Sequence, residues 1–155
     1  MTTEAVIKIV ENLSLNPKKE RSVSLIVLTG GEPFRQNINI LCSILLQKNF
    51  QIQIETNGTL YQDIPQEVEI ICSPKISNNK YYPPHNQLLP RITAFKFLIS
   101  SNIQGYDAVP ELGQQKFKIP VFVQAMDQYN DEINIANENL AVEIAINNGY
   151  RLSYQ

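Results

Sequence analysis

A chain of 155 residues, 43% hydrophobic and 18% charged, is long enough to bury a core and too apolar to be disordered, so it is expected to form one domain. A net charge of −2 without a lysine or arginine run argues against nucleic acid or an anionic membrane as the main partner. No apolar stretch reaches membrane-spanning length, and Glu4 and Glu11 interrupt the apolar pattern of residues 1–13 in a way unlike a signal or transit peptide; a cytoplasmic location is expected.

Val6, Ile9, Val10 and Leu13 recur at helical spacing behind Thr2 or Thr3 as a cap, which predicts an opening amphipathic helix ended by Asn16-Pro17. Residues 18–21 read as a solvated charged link. The apolar run 23–28 predicts a buried strand that stops at Thr29-Gly30-Gly31-Glu32-Pro33. Glycines at a strand end let a ligand reach main-chain atoms, Glu32 offers a carboxylate to a cation or ammonium, and Pro33 stiffens the exit.

Ile38, Leu41, Cys42 and Leu45 mark a second helix, capped by Asn37 and closed by Asn49. A strand over 51–55 places Ile52 and Ile54 on one face and ends in Glu55-Thr56-Asn57-Gly58-Thr59. The next strand, 68–72, ends in Ser73-Pro74-Lys75. Residues 76–91 lack periodicity and carry three prolines, the pattern of a long irregular loop that serves as a lid or cover. Strands follow over 94–99 and 119–123, the latter ending in Gln124-Ala125-Met126-Asp127. A helix over 135–148, stopped by Gly149, leads to a last alternating segment over 150–155. Strands separated by helix-length crossovers predict a mostly parallel sheet of about six strands.

The two cysteines, Cys42 and Cys72, and the one histidine, His85, cannot assemble an all-protein structural zinc site. Both cysteines lie in apolar runs and read as small buried hydrophobes. His85 reads as a surface side chain within the irregular loop.

Taken in order, the strand ends 29–33, 55–59, 73–75, 95–97 and 124–127, followed by Gly149-Tyr150-Arg151-Leu152-Ser153-Tyr154-Gln155, resemble the 7-carboxy-7-deazaguanine synthase family. These are radical S-adenosylmethionine lyases of queuosine and 7-deazapurine biosynthesis, and Gly30-Gly31-Glu32-Pro33 resembles the methionine-binding motif of that superfamily. The resemblance implies a partial parallel β/α barrel, a 4Fe-4S cluster that cleaves S-adenosylmethionine, and magnesium-assisted ring contraction of 6-carboxy-5,6,7,8-tetrahydropterin. Carried over by position, Thr29 would contact the pterin. Gly30, Gly31 and Glu32 would meet the methionine end of S-adenosylmethionine. Ser73, Pro74 and Lys75, with Gln124, Ala125, Met126 and Asp127, would line its pocket, and Glu55 and Asn57 would add polar contacts on the same rim.

The sequence also departs from that family. The Cys-x3-Cys-x2-Cys loop that holds the cluster is missing, as are the first strand, a magnesium-ligating threonine, a Thr-His-Lys stretch and a terminal substrate contact, and Ala125 stands where proline is usual. The chain is therefore expected to be truncated at both ends, with no catalytic or metal-ligating residue of its own, and to be inactive in isolation. It is also expected to expose the edge of strand 23–28 to a protein partner or a second copy. The alternative is a non-catalytic remnant that binds S-adenosylmethionine, a nucleoside or a partner.

Overall fold

The computed structural model describes residues 2–78 and 80–154. Its strands are β1 (Leu25–Leu28), β2 (Gln51–Thr56), β3 (Glu69–Cys72), β4 (Ile76–Ser77), β5 (Lys80–Tyr81), β6 (Ala94–Ile99), β7 (Val121–Ala125) and β8 (Arg151–Ser153). Its α-helices are α1 (Thr3–Leu13), α2 (Asn39–Gln47), α3 (Gln114–Phe117) and α4 (Asp131–Asn148). Six strands share a sheet in the order β1-β2-β3-β6-β7-β8, and β4 and β5 form a separate hairpin. β1 pairs with β2, β3 with β6, β6 with β7 and β7 with β8, all in parallel, so the expected parallel α/β sheet is present. The chain divides into two compact units, residues 1–55 with 62–70 and residues 56–61 with 71–155.

In the first unit, Thr2 caps α1 by accepting from the Ala5 amide at 3.3 Å. The inward face of α1 centres on Ile7, while Ile9 and Leu13 are 46% and 77% exposed, so the expected stripe is displaced. The link at 18–21 is exposed as expected, yet it is pinned. Asn16 Oδ1 accepts from the Lys18 and Glu20 amides, and the Arg21 guanidinium donates to the Lys48 carbonyl at 2.7 Å while lying 4.2 Å over the Phe50 ring. Ile38, Cys42 and Leu45 are buried around α2, and Ile52 and Ile54 on β2 are almost fully enclosed, as the pattern predicts.

β1 corrects the expectation of a buried strand. It begins at Leu25, stands at the end of the sheet order, and leaves Leu25 and Val27 more than two-fifths exposed. A continuous apolar run implies two covered faces, whereas this strand alternates between half-buried and exposed residues.

In the second unit, Phe95, Phe97 and Ile99 of β6 and Val123 of β7 are fully buried, and Ala141 and Ala145 of α4 are buried with them. α4 starts four residues earlier than its apolar pattern predicts, because the Asn130 side chain accepts from the Ile133 amide at 3.1 Å and Asp131 and Glu132 supply acid to the first turn. The parallel strands β7 and β8, with α4 between them in sequence, make a βαβ unit. Gln155, at the end of the expected last strand, lies outside the described residues. Residues 76–91 are not an unstructured cover: they contain the hairpin of β4 and β5 and a 3-10 turn, and Tyr81 packs edge-on against Phe97 and Tyr106.

Candidate functional site at the strand ends

Beyond β1, Gly30 holds a φ of +114°, a conformation that side chains disfavour. Gly31 has no such need. A Cβ added to it would meet nothing within 4 Å, so neither backbone geometry nor packing inside the protein requires glycine there. Glu32 caps the 3-10 turn Pro33–Arg35, its Oε1 accepting from the Phe34 amide at 3.1 Å with Pro33 at the first helical position. Thr29 is exposed, and Glu55 on β2 is half-buried.

In the second unit the turn after β2 is built from its own polar side chains. Asn57 Oδ1 accepts from the Thr59 amide and hydroxyl, at 2.9 and 2.6 Å, and Thr56 Oγ1 accepts from the Gly58 amide at 3.0 Å. Gly58 is indispensable: its φ is +84°, and a Cβ would lie 2.6 Å from Cys72 Sγ. The Thr56 carbonyl accepts from the Ser73 amide at 2.8 Å, bringing the Asn57 turn beside Ser73-Pro74-Lys75. There Lys75 Nζ donates to Ser73 Oγ at 3.1 Å, and Pro74 is fully buried. His85 is exposed, as expected; its amide donates to the Gly58 carbonyl and its ring stacks on Tyr61, so it braces this turn.

At the ends of β7 and β8, against α4, lies a cavity of about 330 Å3. That volume suits part of a small organic ligand. Gln124, Ala125, Met126 and Asp127 form one wall, Asn134, Glu138 and Val142 of α4 a second, and Leu152, Ser153 and Tyr154 a third. Asp127 Oδ1 accepts from the Tyr129 amide and from Asn134 Nδ2, both at 2.8 Å. These bonds favour the ionised form and hold the carboxyl below the usual aspartate value. With Glu138 on the facing wall, the cavity presents acceptors and negative charge to a ligand that brings donors or a cation.

The fold therefore gathers Gln124 to Asp127 on one cavity, and sets Asn57, Ser73 and Lys75 on two adjoining turns. Thr29 to Glu32 and Glu55 belong to the first unit. Sequence reasoning missed the α4 wall. Its signal was available: Asn130, Asn134, Asn137 and Glu138 recur at helical spacing, a polar stripe on a helix that also carries Ala141 and Ala145 inward.

A three-thiolate cluster does not fit the donors present. Cys42 and Cys72 are both fully enclosed, on α2 and β3, and burial pushes the Cys42 thiol up to about 11, away from the thiolate a metal requires. Among the described residues no group of three or more histidine, cysteine, aspartate or glutamate side chains is placed to hold a metal ion. No helix among them is long and apolar enough to cross a membrane.

These features define the class: a parallel β/α fold with a cavity of mixed apolar and acidic lining at the ends of β7 and β8. No family model matches the chain. A 7-carboxy-7-deazaguanine synthase from Rickettsia prowazekii is 50% identical to it over 152 residues, which cover 98% of this chain and 65% of the relative. One from Rhodospirillum rubrum is 36% identical over 160 aligned residues, covering 91% and 66% respectively. In fold the chain is similar to the crystal structure of QueE from Escherichia coli, with a TM-score of 0.71 at 20% identity, covering all of this chain and 64% of that one. The chain is a homologue of the 7-carboxy-7-deazaguanine synthases and spans about 65% of the length of the Rickettsia prowazekii relative.

Proposed function

We propose that this chain is the S-adenosylmethionine-binding portion of a 7-carboxy-7-deazaguanine synthase. The observation that carries the reading is 50% identity to a synthase across 98% of the chain. In the complete reaction S-adenosylmethionine supplies a 5′-deoxyadenosyl radical, which starts ring contraction of 6-carboxy-5,6,7,8-tetrahydropterin. This chain's part is to bind and orient. The open backbone at Gly30 and Gly31, with Glu32, accommodates the amino-acid end, where a carboxylate satisfies an ammonium. In the second unit, Ser73, Lys75 and the Gln124 to Asp127 wall, with Asn57 and Pro74, are assigned to S-adenosylmethionine by their positions in the family's sequence; in the first unit, Glu55 is assigned to the cofactor and Thr29 to the pterin on the same ground.

Because the cluster's donor set is not built from these residues, no electron-transfer step is assigned to the chain, and alone it is inactive. After anaerobic incubation with iron, sulfide, a reductant and S-adenosylmethionine, the chain is expected to form no 5′-deoxyadenosine. Formation above the protein-free control would overturn the assignment of inactivity.

A second reading is favoured by the exposed face of β1. Val23, Leu25 and Val27 are 42–44% exposed at the end of the sheet order, an arrangement that invites another strand. In this reading the edge receives a protein partner or a second copy of the chain.

A further inference from the structure

We propose that Asn137, a residue outside the cavity wall, is the positioning residue that holds the β7–α4 loop in its ligand-ready form; this rests on the cavity binding S-adenosylmethionine. Asn137 is fully buried, although asparagine is a poor residue for a helix interior. Its side chain makes every hydrogen bond available to a primary amide. Oδ1 accepts from the Ser101 amide at 2.7 Å and from Ser101 Oγ at 2.9 Å. Nδ2 donates to the Met126 carbonyl at 2.8 Å and to Gln128 Oε1 at 3.0 Å. One side chain thus ties α4 to the loop that follows β6 and to the loop that carries Met126 and Asp127.

The tie continues into the cavity. The Gln128 amide donates to Asn134 Oδ1 at 2.9 Å, and Asn134 Nδ2 donates to Asp127 Oδ1 on the cavity wall. Ser100, also fully buried, reaches Gln128 Oε1 at 2.9 Å and reinforces the same loop from β6. If the amide were lost, the Met126 carbonyl and Ser101 amide would each lack a partner beside the core. The loop would then satisfy them by moving toward water, at the expense of the wall it presents. A loop held in one geometry before the ligand arrives binds it more tightly, because its ordering cost is already met.

Asn137→Asp separates the two sides of the clamp. It keeps an acceptor for Ser101, removes both donors, and sets a carboxylate oxygen against the Met126 carbonyl. Ser101→Ala is the structural control, since it removes one bond on the β6 side and none on the cavity side. S-adenosylmethionine binding is measured by calorimetry on the full chain, with amide hydrogen exchange of residues 126–128 followed in its absence.

The expected result for Asn137→Asp is about a tenfold weaker Kd together with faster exchange at 126–128, while Ser101→Ala binds within about twofold of the unmodified chain. Should Asn137→Asp fail to fold, Gln128→Ala reaches the clamp from the loop side, with about threefold weaker binding expected. Unchanged affinity and exchange in a folded clamp variant would overturn the role of Asn137 alone. Failure of the unmodified chain to bind S-adenosylmethionine would overturn the cavity reading and, with it, this inference.

Discussion

Cys42 and Gly58 show how far single residues are constrained by enclosure. The Cys42 thiol is fully buried on α2, and desolvation raises it from an ordinary 9.0 to about 11. The unfolded chain therefore releases this proton first. The stabilisation is complete below about pH 9 and declines as pH rises toward 11, by at most about 2–3 kcal/mol. Urea unfolding between pH 8 and 10.5 should show that decline in the unmodified chain and a flatter profile in Cys42→Ala; parallel profiles would contradict it. At Gly58 two effects add, because alanine would take a left-handed conformation and drive its Cβ toward Cys72 Sγ. Gly58→Ala is expected to cost about 2–3 kcal/mol of unfolding free energy, read from the urea midpoint, and a cost below about 0.5 kcal/mol would contradict the packing described.

Whether an element was legible in the sequence depended on where its information lies. β6 is recovered residue for residue and β2 to within one, because buried or alternating apolar residues mark both. The start of α4 is not marked by its apolar period, which begins after the cap; its signal is the capping residue Asn130 with two acids behind it. β4 and β5 have two residues each, too short for any periodicity, and their placement depends on Tyr81 finding Phe97 and Tyr106. β1 differs from its expectation because its composition suits a covered strand while its position leaves one face open. In the site, the polar strand ends could be read locally. For Asn134 and Glu138 the helical spacing is visible in the sequence, but their place on the cavity wall is not, since only the βαβ crossover brings α4 over the end of β7.

The open face of β1 has a consequence for association. If Val23, Leu25 and Val27 form an associating edge, sedimentation of the chain should rise with concentration, and Val27→Lys should shift it toward monomer without lowering the melting temperature. Concentration-independent monomer sedimentation would remove self-association from the second reading.

For the whole molecule, the proposed function separates cofactor binding from electron delivery. The chain is 50% identical over 152 residues to a synthase of which it covers 65%, and it carries a cavity with Asp127 and Glu138 in its walls. The same residues offer only two enclosed cysteines and no metal-holding group among those described. On the proposed reading these residues hold S-adenosylmethionine and do not themselves build the cluster that reduces it. Gly31 links this account to one atom, since the fold itself has room for a Cβ there and gives no reason for glycine.

The most direct test is therefore a calorimetric titration of S-adenosylmethionine into the chain and into Gly31→Ala, with the melting temperature of each measured without ligand. The account predicts saturable binding to the unmodified chain, at least about tenfold weaker binding to Gly31→Ala, and melting temperatures within about 2 °C of each other. No binding to the unmodified chain, or equal affinity in the two proteins, would contradict it.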